Sequence, residues 1–229
     1  MVEPLELDFD WDWLIILDAC RYDYFKRLWR RSRVEPRLSW GSCTLEFLEH
    51  LPDMRDAMVV TSHPFVHENR HKFAAVVDCG FDYRLGTCPP WRVVLKVLRS
   101  LPLLRAFKRR IIWFLQPHHP FIAHPRLHIP IFDDPECRSL TPFERVERMF
   151  REAKARGILS RAYEANLKLV LREVEKLLPH LRGRVAITSD HGEGLGEPLR
   201  PEDPPVFSHP CNRDSWELRL VPFTVLDIA

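Results

Sequence analysis

The stretch Val185-Ala186-Ile187-Thr188-Ser189-Asp190-His191-Gly192-Glu193 decides how this chain is interpreted. Its first four residues form an apolar run, which is typical of a strand that is covered on both faces. A carboxylate and an imidazole follow where that strand ends, and a glycine loosens the loop behind them. A solvated turn requires neither the buried strand nor the paired ligand types, so the stretch predicts a metal site at Asp190 and His191. The alternative is a polar loop in which the histidine is incidental.

The length and charge of the chain predict a single folded domain over residues 1–229. The chain is long enough to bury a sizeable core. Its 34 basic and 32 acidic residues nearly cancel, which gives no general electrostatic case for a nucleic-acid partner. The acidic start lacks the pattern of a signal peptide, and no apolar segment reaches the length of a membrane span. We therefore expect a soluble, cytoplasmic protein without a membrane span, and its oligomeric state is left open.

The six cysteines are scattered along the chain without a C-x-x-C pair, and this spacing is typical of neither a zinc ribbon nor a disulfide scaffold. We expect most of them to be small buried hydrophobic residues. They are Cys20, Cys43, Cys79, Cys88, Cys137 and Cys211.

Short apolar runs alternate with amphipathic stretches, which predicts a three-layer α/β/α fold with a mostly parallel central sheet. The predicted strands are residues 13–17, 57–61, 111–115, 185–188 and 218–226. The predicted helices are residues 22–31, 44–51, 92–108 with a break or kink at Pro102, and 160–178. The proline- and histidine-rich residues 118–142 are predicted to form an ordered loop.

Polar residues follow three of the predicted strands, at the carboxyl edge where parallel sheets place their chemistry. They are Asp18, the pair His118-His119, and the pair Asp190-His191. Singly, such an aspartate is a helix cap and such a histidine a hydrogen-bonded loop residue. Together they favour one divalent metal site formed by Asp18, Asp190 and His191. Carboxylate with imidazole suits zinc or manganese best, and calcium or magnesium, which prefer oxygen ligands alone, are possible.

These motifs resemble those of the alkaline phosphatase superfamily, and within it the sulfatase-like hydrolases and the phosphoglycol or phosphoethanolamine transferases. Residues 18–23 resemble the D-x-x-R-x-D motif, residues 189–193 the S-D-H-G-E motif, and residues 117–121 the P-H-x-P-[YF] loop. The resemblance covers residues 14–226 and implies that Asp18, Asp190 and His191 bind the metal. The resemblance implies substrate contacts at His118 and His119, and it places His209 either on a second metal or on the substrate. Arg21 is a further substrate-binding candidate, because its charge would add to the same site.

The nucleophile implied by the resemblance lies at the start of a helix, within Gly41-Ser42-Cys43-Thr44. Alignment on Gly41-Ser42 makes Thr44 the nucleophile and a further contact of the metal, with Ser42 second and Cys43 third. The proline and arginine of the formylglycine signature are absent, which disfavours a formylglycine sulfatase. A helix N-terminus stabilises an oxyanion, although a plain helix cap would explain the same residue types.

The sequence thus predicts a metal-dependent hydrolase or transferase that acts on small-molecule phosphate or sulfate esters through a hydroxyl nucleophile. His119 is a further candidate catalytic residue, and Glu193 is expected to orient His191 or its loop. One alternative is a catalytically inactive, sulfatase-like metal-binding or scaffold protein, which the short length and the ambiguous nucleophile favour. A dinucleotide enzyme, suggested by glycines at 192, 194 and 196, is disfavoured because nearby carboxylates would repel a pyrophosphate.

Overall fold

The fold is known from a computed structural model that describes residues 2–123, 140–198 and 202–229. The strands are β1 Trp13–Leu17, β2 Glu35–Leu38, β3 Met54–Thr61, β4 Phe73–Asp78, β5 Arg109–Phe114, β6 Gly183–Thr188, β7 Gly194–Pro198, β8 Pro205–Ser208 and β9 Leu220–Ile228. The α-helices are α1 Tyr22–Leu28, α2 Thr44–His50, α3 Pro64–Glu68, α4 Pro90–Leu104, α5 Pro142–Ala155, α6 Leu159–Leu177 and α7 Trp216–Arg219.

Seven of these strands form one sheet in the order β2-β9-β6-β1-β5-β3-β4. The five strands from β6 to β4 run parallel, which confirms the predicted parallel centre. β9 pairs antiparallel with β6, and β2 pairs antiparallel with β9. β7 and β8 form a separate antiparallel pair. Parallel neighbours end at the same edge of the sheet, so the segments after β1, β6, β3 and β5 all meet there.

Both faces of the sheet are covered, as the apolar runs predict. Along β1, Ile15 and Leu17 pack into one hydrophobic cluster with α4 and α6, whereas Leu14 and Ile16 pack into a second cluster with α2. All four side chains are fully buried. Burial of each such side chain stabilises the fold by about 1.5–3 kcal/mol, so the alternation along β1 fixes the three-layer arrangement. The predicted α/β/α fold class is confirmed.

The predicted elements are present with shifts of a few residues, and several others were not predicted. α4 continues past Pro102 and ends two residues later, at Leu104. The missed elements are β2, β4, α3, α5, α7 and the β7–β8 pair. β2 is only four residues long and half-buried throughout, so it has no apolar run. Of the predicted loop 118–142, residues 124–139 lie outside the described residues.

The expectation for the cysteines is wrong for one pair. Cys43 and Cys211 are joined by a disulfide bond across 168 residues of sequence. Cys20, Cys79 and Cys88 are free and buried, as predicted. Cys137 lies outside the described residues.

Across residues 2–123, 140–198 and 202–229, none of the helices combines the length and the apolar character that crossing a membrane requires.

Candidate active site

The turn after β1 holds Asp18 in place through a tightly bonded backbone. Ala19 adopts a left-handed conformation with φ of 59°, which is uncommon for a residue with a side chain. Its N–H donates to Asp190 Oδ1 at 3.2 Å, and its carbonyl accepts from the Tyr163 hydroxyl at 2.7 Å. The Cys20 N–H donates to Ser189 Oγ at 2.8 Å. The ends of β1 and β6 are therefore fastened to each other, and the strained turn is stabilised by both.

The loop after β6 depends on close backbone approach at Gly192. Its N–H donates to the Leu218 carbonyl at 2.6 Å, and the next N–H donates to the Glu217 carbonyl at 3.0 Å. A Cβ atom at residue 192 would lie 2.0 Å from the Glu217 oxygen, so only glycine fits there. This contact turns the chain sharply after Asp190 and His191 and keeps both side chains at the sheet edge.

Thr44 is the first residue of α2 and directs its hydroxyl into the same edge. Thr44 Oγ1 donates to Asp190 Oδ2 at 2.8 Å and lies 3.2 Å from His191 Nε2. No side chain caps α2 at its N-cap residue, Cys43. The plain-cap alternative therefore does not describe Thr44, whose hydroxyl lies between the side chains of Asp190 and His191 instead.

Asp18, Asp190 and His191 form a compact group with the donor set of a divalent metal site. One ligand atom of each lies within 4.8 Å of the others, and all three residues are buried. His191 Nδ1 lies 2.7 Å from the Gly192 carbonyl, so Nδ1 carries the proton and Nε2 presents its lone pair to the group. This is the tautomer that a metal ligand requires.

The environment of Asp18 fits a cation. Its Oδ1 is buried without a hydrogen-bond partner among the described residues. Burial raises the pKa of Asp18 to about 7, and the nearby Asp190 carboxylate adds to the rise. A divalent ion would give Oδ1 a partner and offset the cost of burying the two carboxylates together. The residues present therefore fit a metal ion.

A fourth buried side chain, His63, joins this group from the end of β3, and the sequence analysis missed it. His63 Nε2 lies 3.4 Å from Asp18 Oδ2 and 3.5 Å from Thr44 Oγ1. Burial lowers the pKa of His63 to about 4, so the ring is neutral near pH 7. The sequence pattern could have identified His63 as a candidate, because Ser62-His63 follows a predicted strand at the same carboxyl edge.

The remaining predicted histidines form a second group beside the first. The His209 ring centroid lies 4.5 Å from that of His191 and 4.8 Å from that of His118. The ring centroids of His118 and His119 lie 3.9 Å apart. Burial lowers the pKa values of all three rings outside the metal group, to about 4 for His209. Glu193 Oε1 lies 3.0 Å from His209 Nδ1. Glu193 thus orients His209, not His191 as expected.

Three other predicted site residues, Ser42, Cys43 and Arg21, form bonds with residues outside the metal group. Ser42 Oγ bonds to Glu46 Oε2 at 3.0 Å and to the Pro210 carbonyl at 2.9 Å. The sulfur of Cys43 is in the disulfide and is not available as a thiol.

Arg21 pairs with Asp23 at 2.9 Å and with Glu197 at 2.7 Å. The Arg21 side chain is only 10% exposed, so most of it is shielded from solvent. The Arg21 guanidinium therefore links Asp23 of α1 to Glu197 of β7, and its predicted contact with the substrate stays a prediction.

The dinucleotide alternative is contradicted by the same region. Gly194 and Gly196 lie within β7, which pairs with β8, and no helix begins there. A dinucleotide fingerprint requires a glycine turn that opens a helix.

Comparison with known proteins gives matches among solved structures only. No protein-family model and no curated protein matches the sequence. The chain is similar to the C-terminal periplasmic domain of EptC from Escherichia coli in complex with zinc, with a TM-score of 0.59 and 12% identity over 100% of this chain and 77% of that one. It is also similar to the periplasmic domain of phosphoethanolamine transferase EptC from Campylobacter jejuni, with a TM-score of 0.54 and 14% identity over 99% and 83%. The soluble domain of lipooligosaccharide phosphoethanolamine transferase A from Neisseria meningitidis matches with a TM-score of 0.54 and 13% identity over 93% and 75%.

The expectation of a cytoplasmic protein is wrong. The similar structures are periplasmic domains, which points away from the cytoplasm. The Cys43–Cys211 disulfide points the same way, because such bonds persist in oxidising compartments. The acidic residues at the start of the sequence do not distinguish a cytoplasmic protein from a periplasmic one.

These matches cover at least 93% of this chain. The chain therefore has the alkaline phosphatase-like fold that these phosphoethanolamine transferase domains share, and the resemblance inferred from residues 18–23 and 189–193 is confirmed at the level of fold.

Proposed function

We propose that this protein is a metal-dependent phosphotransferase or hydrolase that acts on phosphate esters through the Thr44 hydroxyl. The observation that carries the proposal is the position of Thr44 Oγ1, 2.8 Å from Asp190 Oδ2 and 3.2 Å from His191 Nε2. A buried threonine that serves only the fold does not require two such partners. The similarity to phosphoethanolamine transferase domains supports phosphorus over sulfur.

The proposed reaction depends first on the metal ligands. Asp18, Asp190 and His191 would hold a divalent ion, which supplies the positive charge that lowers the pKa of a hydroxyl and polarises a phosphate ester. Thr44 Oγ1 attacks phosphorus while the bond from phosphorus to the ester oxygen breaks, and that oxygen takes a proton from water and leaves as an alcohol. His63 Nε2, 3.5 Å from Thr44 Oγ1 and neutral because of burial, accepts the hydroxyl proton. Water or an acceptor alcohol then releases the phosphoryl group from Thr44.

The second histidine group serves the substrate. His118 and His209 present ring nitrogens beside His191, where the non-bridging oxygens and the leaving oxygen of an ester would lie. Glu193 fixes the ring of His209 through the 3.0 Å contact at Nδ1, so Nε2 of that ring is the atom free for the substrate. His119 packs against His118.

Zinc is the ion that we propose. Two carboxylates with one imidazole would supply three protein ligands, as in catalytic zinc sites, which leave a further position for water or substrate. The similar EptC domain is described as a complex with zinc. Manganese accepts the same donor set and is the appropriate second ion to test.

The direct test is capture of the phosphorylated threonine. The protein is loaded with Zn²⁺ or Mn²⁺ and mixed with bis(p-nitrophenyl) phosphate, p-nitrophenyl phosphate or p-nitrophenyl sulfate. After an acid quench, peptide mapping by mass spectrometry locates any added group. We expect release of nitrophenol from a phosphate ester and a phosphoryl group on Thr44. A metal-loaded protein that hydrolyses none of the three esters would instead be the inactive, metal-binding relative.

A further inference from the structure

An exposed apolar surface follows β4, away from the metal ligands. Of the eight large hydrophobic residues that are exposed in the described chain, five lie between residues 81 and 103. Four of them occupy the loop after β4 and the first turns of α4: Phe81 is 39% exposed, Tyr83 88%, Trp91 47% and Leu95 46%. Scattered exposed hydrophobic residues need no explanation, but a concentration of aromatic ones marks an interaction site. We call these four residues the aromatic face.

The aromatic face is held in shape by its own contacts. Asp82 and Thr87 exchange backbone hydrogen bonds at 2.9 and 3.3 Å, which closes the loop. Arg92, in the first turn of α4, reaches back to Asp82 at 3.2 Å. Phe81 and Tyr83 meet edge to face with ring centroids 5.4 Å apart. The loop is therefore fixed against α4 and presents its aromatic rings outward.

The segment that carries the aromatic face is basic. Residues 78–108 contain six basic residues and two acidic residues, Asp78 and Asp82, whereas the whole chain has a formal charge of only +2. Asp78, at the end of β4, attracts Lys96 electrostatically. Asp82 is neutralised by Arg92. On the outer side of α4, Arg99 is exposed and Lys96 is half-exposed, next to Trp91 and Leu95. The nearly neutral total thus conceals a positively charged segment.

The aromatic face lies at the same edge of the sheet as the candidate active site. Residues 79–87 follow the carboxyl end of β4, which runs parallel to β1 and β6. Thr87 Oγ1 accepts a hydrogen bond from Gln116 Nε2 at 3.0 Å, and Gln116 directly precedes Pro117-His118. A surface bound by the aromatic face would therefore lie near the edge of the sheet that holds the candidate active site.

We propose that the aromatic face, with Lys96 and Arg99 beside it, docks this protein on an anionic membrane surface. Aromatic and leucine side chains flanked by lysine and arginine are the composition of segments that lie in the interface of a bilayer. Anionic lipids attract each nearby basic side chain, and aromatic rings settle at the level of the head groups. Charge complementarity selects the lipid surface over a second copy of this chain, which would bring the same basic residues together. The inference goes beyond the ester chemistry and does not depend on it.

The test is sedimentation with vesicles, in EDTA so that no turnover contributes. The protein is mixed with vesicles of phosphatidylcholine alone or of phosphatidylcholine with phosphatidylglycerol. We expect binding to the anionic vesicles that weakens as salt is added. Trp91→Gln/Leu95→Gln should lower the partition coefficient about tenfold by removing apolar contact. Lys96→Gln/Arg99→Gln should lower it about tenfold through lost attraction to the lipid charge.

Matched controls lie outside the aromatic face. Trp216→Gln removes a tryptophan that is 62% exposed elsewhere, and Arg33→Gln removes an arginine whose side chain is 87% exposed. Both should bind vesicles as the parent protein does, and thermal melting confirms that every variant is folded. Thr44→Ala should bind unchanged, which separates docking from the proposed catalysis. Absence of vesicle binding, equal loss in the controls, or a dimer that only the Trp91→Gln/Leu95→Gln variant breaks would each overturn the proposal.

Discussion

The candidate site has two halves that are built in different ways. The metal half consists of Asp18, Thr44, Asp190 and His191, which are all buried and lie at strand ends or at the start of α2. The histidine half consists of His118, His119 and His209, which are half-buried and lie on loops. In the metal half, the side chains bond to one another and to the backbone of neighbouring strands. In the histidine half, the rings stack on one another, and a single carboxylate, Glu193, fixes one of them.

The difference shows what each half depends on. The sheet register places the ligands, because β1 and β6 pair from Trp13 with Val185 to Ile16 with Thr188 and then end together. The loops place the histidines, so their geometry depends on contacts outside the sheet. We therefore expect changes in the metal half to abolish chemistry or metal binding. Changes in the histidine half should reduce turnover while the metal stays bound.

The largest effect is expected from Thr44→Ala. Loss of a nucleophile commonly lowers kcat by a factor of about a thousand or more, because no other hydroxyl takes its place. Ser42 is the nearest alternative in sequence, but its hydroxyl bonds to Glu46 and Pro210. The measurement is steady-state hydrolysis of bis(p-nitrophenyl) phosphate by the zinc-loaded protein.

Thr44→Ser is the matched control, since it keeps a hydroxyl at the same position. It should retain much of the activity and carry the phosphoryl group on residue 44. Full turnover by Thr44→Ala would show that the metal half does not contain the nucleophile.

The next effect is expected in metal affinity, from Asp190→Asn. Asp190 supplies one carboxylate oxygen to Ala19 N–H and the other to Thr44, in the centre of the metal half. Loss of its negative charge should weaken zinc binding by about a hundredfold or more. Isothermal titration calorimetry with Zn²⁺ measures this without any turnover.

Asp227→Asn is the control for Asp190→Asn, because the Asp227 side chain is 79% exposed on β9 and pairs with Arg184. It should leave zinc affinity unchanged. If Asp190→Asn bound zinc as tightly as this control did, the metal half would have to be reassigned.

The disulfide joins the two halves covalently, and its removal tests how much each half relies on the other. Cys43 directly precedes Thr44, and Cys211 lies two residues after His209. The Cys43→Ser/Cys211→Ser variant should lose about 2–4 kcal/mol of unfolding free energy, since the bond closes a long loop. Urea denaturation measures the loss.

The segments around Cys43 and Cys211 are also joined by hydrogen bonds that do not depend on the disulfide. Ser42 Oγ still bonds to the Pro210 carbonyl at 2.9 Å, and the Asn212 N–H still bonds to Glu46 Oε1 at 2.5 Å. We therefore expect the folded fraction of the double variant to keep its zinc affinity. A loss of zinc binding in the folded variant would contradict the independence of the metal half.

The two halves also differ in how far the sequence predicts them. Asp18, Asp190 and His191 were predictable because each follows an apolar run that can only be a buried strand, and parallel strands end together. Thr44 was predictable only through the resemblance, because several hydroxyls stand near the start of α2. The disulfide was not predictable, since 168 residues separate its cysteines and no local pattern links them.

His63 and Glu193 show the same limit at the level of single side chains. The sequence shows that His63 follows a predicted strand. It does not show that β3 lies beside β5, because local periodicity does not determine strand order. Glu193 lies two residues from His191, which suggested that it orients that ring. The backbone carbonyl of Gly192 already holds His191 Nδ1, however, so Glu193 is free to reach His209 on another loop.

The smallest effect is expected from Glu193→Gln, which tests the histidine half alone. Burial raises the pKa of Glu193 to about 7, so the protonated form already resembles glutamine, and the amide oxygen can still accept from His209 Nδ1. We expect kcat to fall about tenfold, with KM and zinc affinity unchanged, and Glu193→Ala to lower kcat further because no acceptor remains. Glu197→Gln is the control: it removes a nearby carboxylate that pairs with Arg21 at 2.7 Å, and it should leave kcat unchanged. A fall in zinc affinity together with kcat in Glu193→Gln would mean that Glu193 acts through His191 after all, and the division of the site into two halves would then fail.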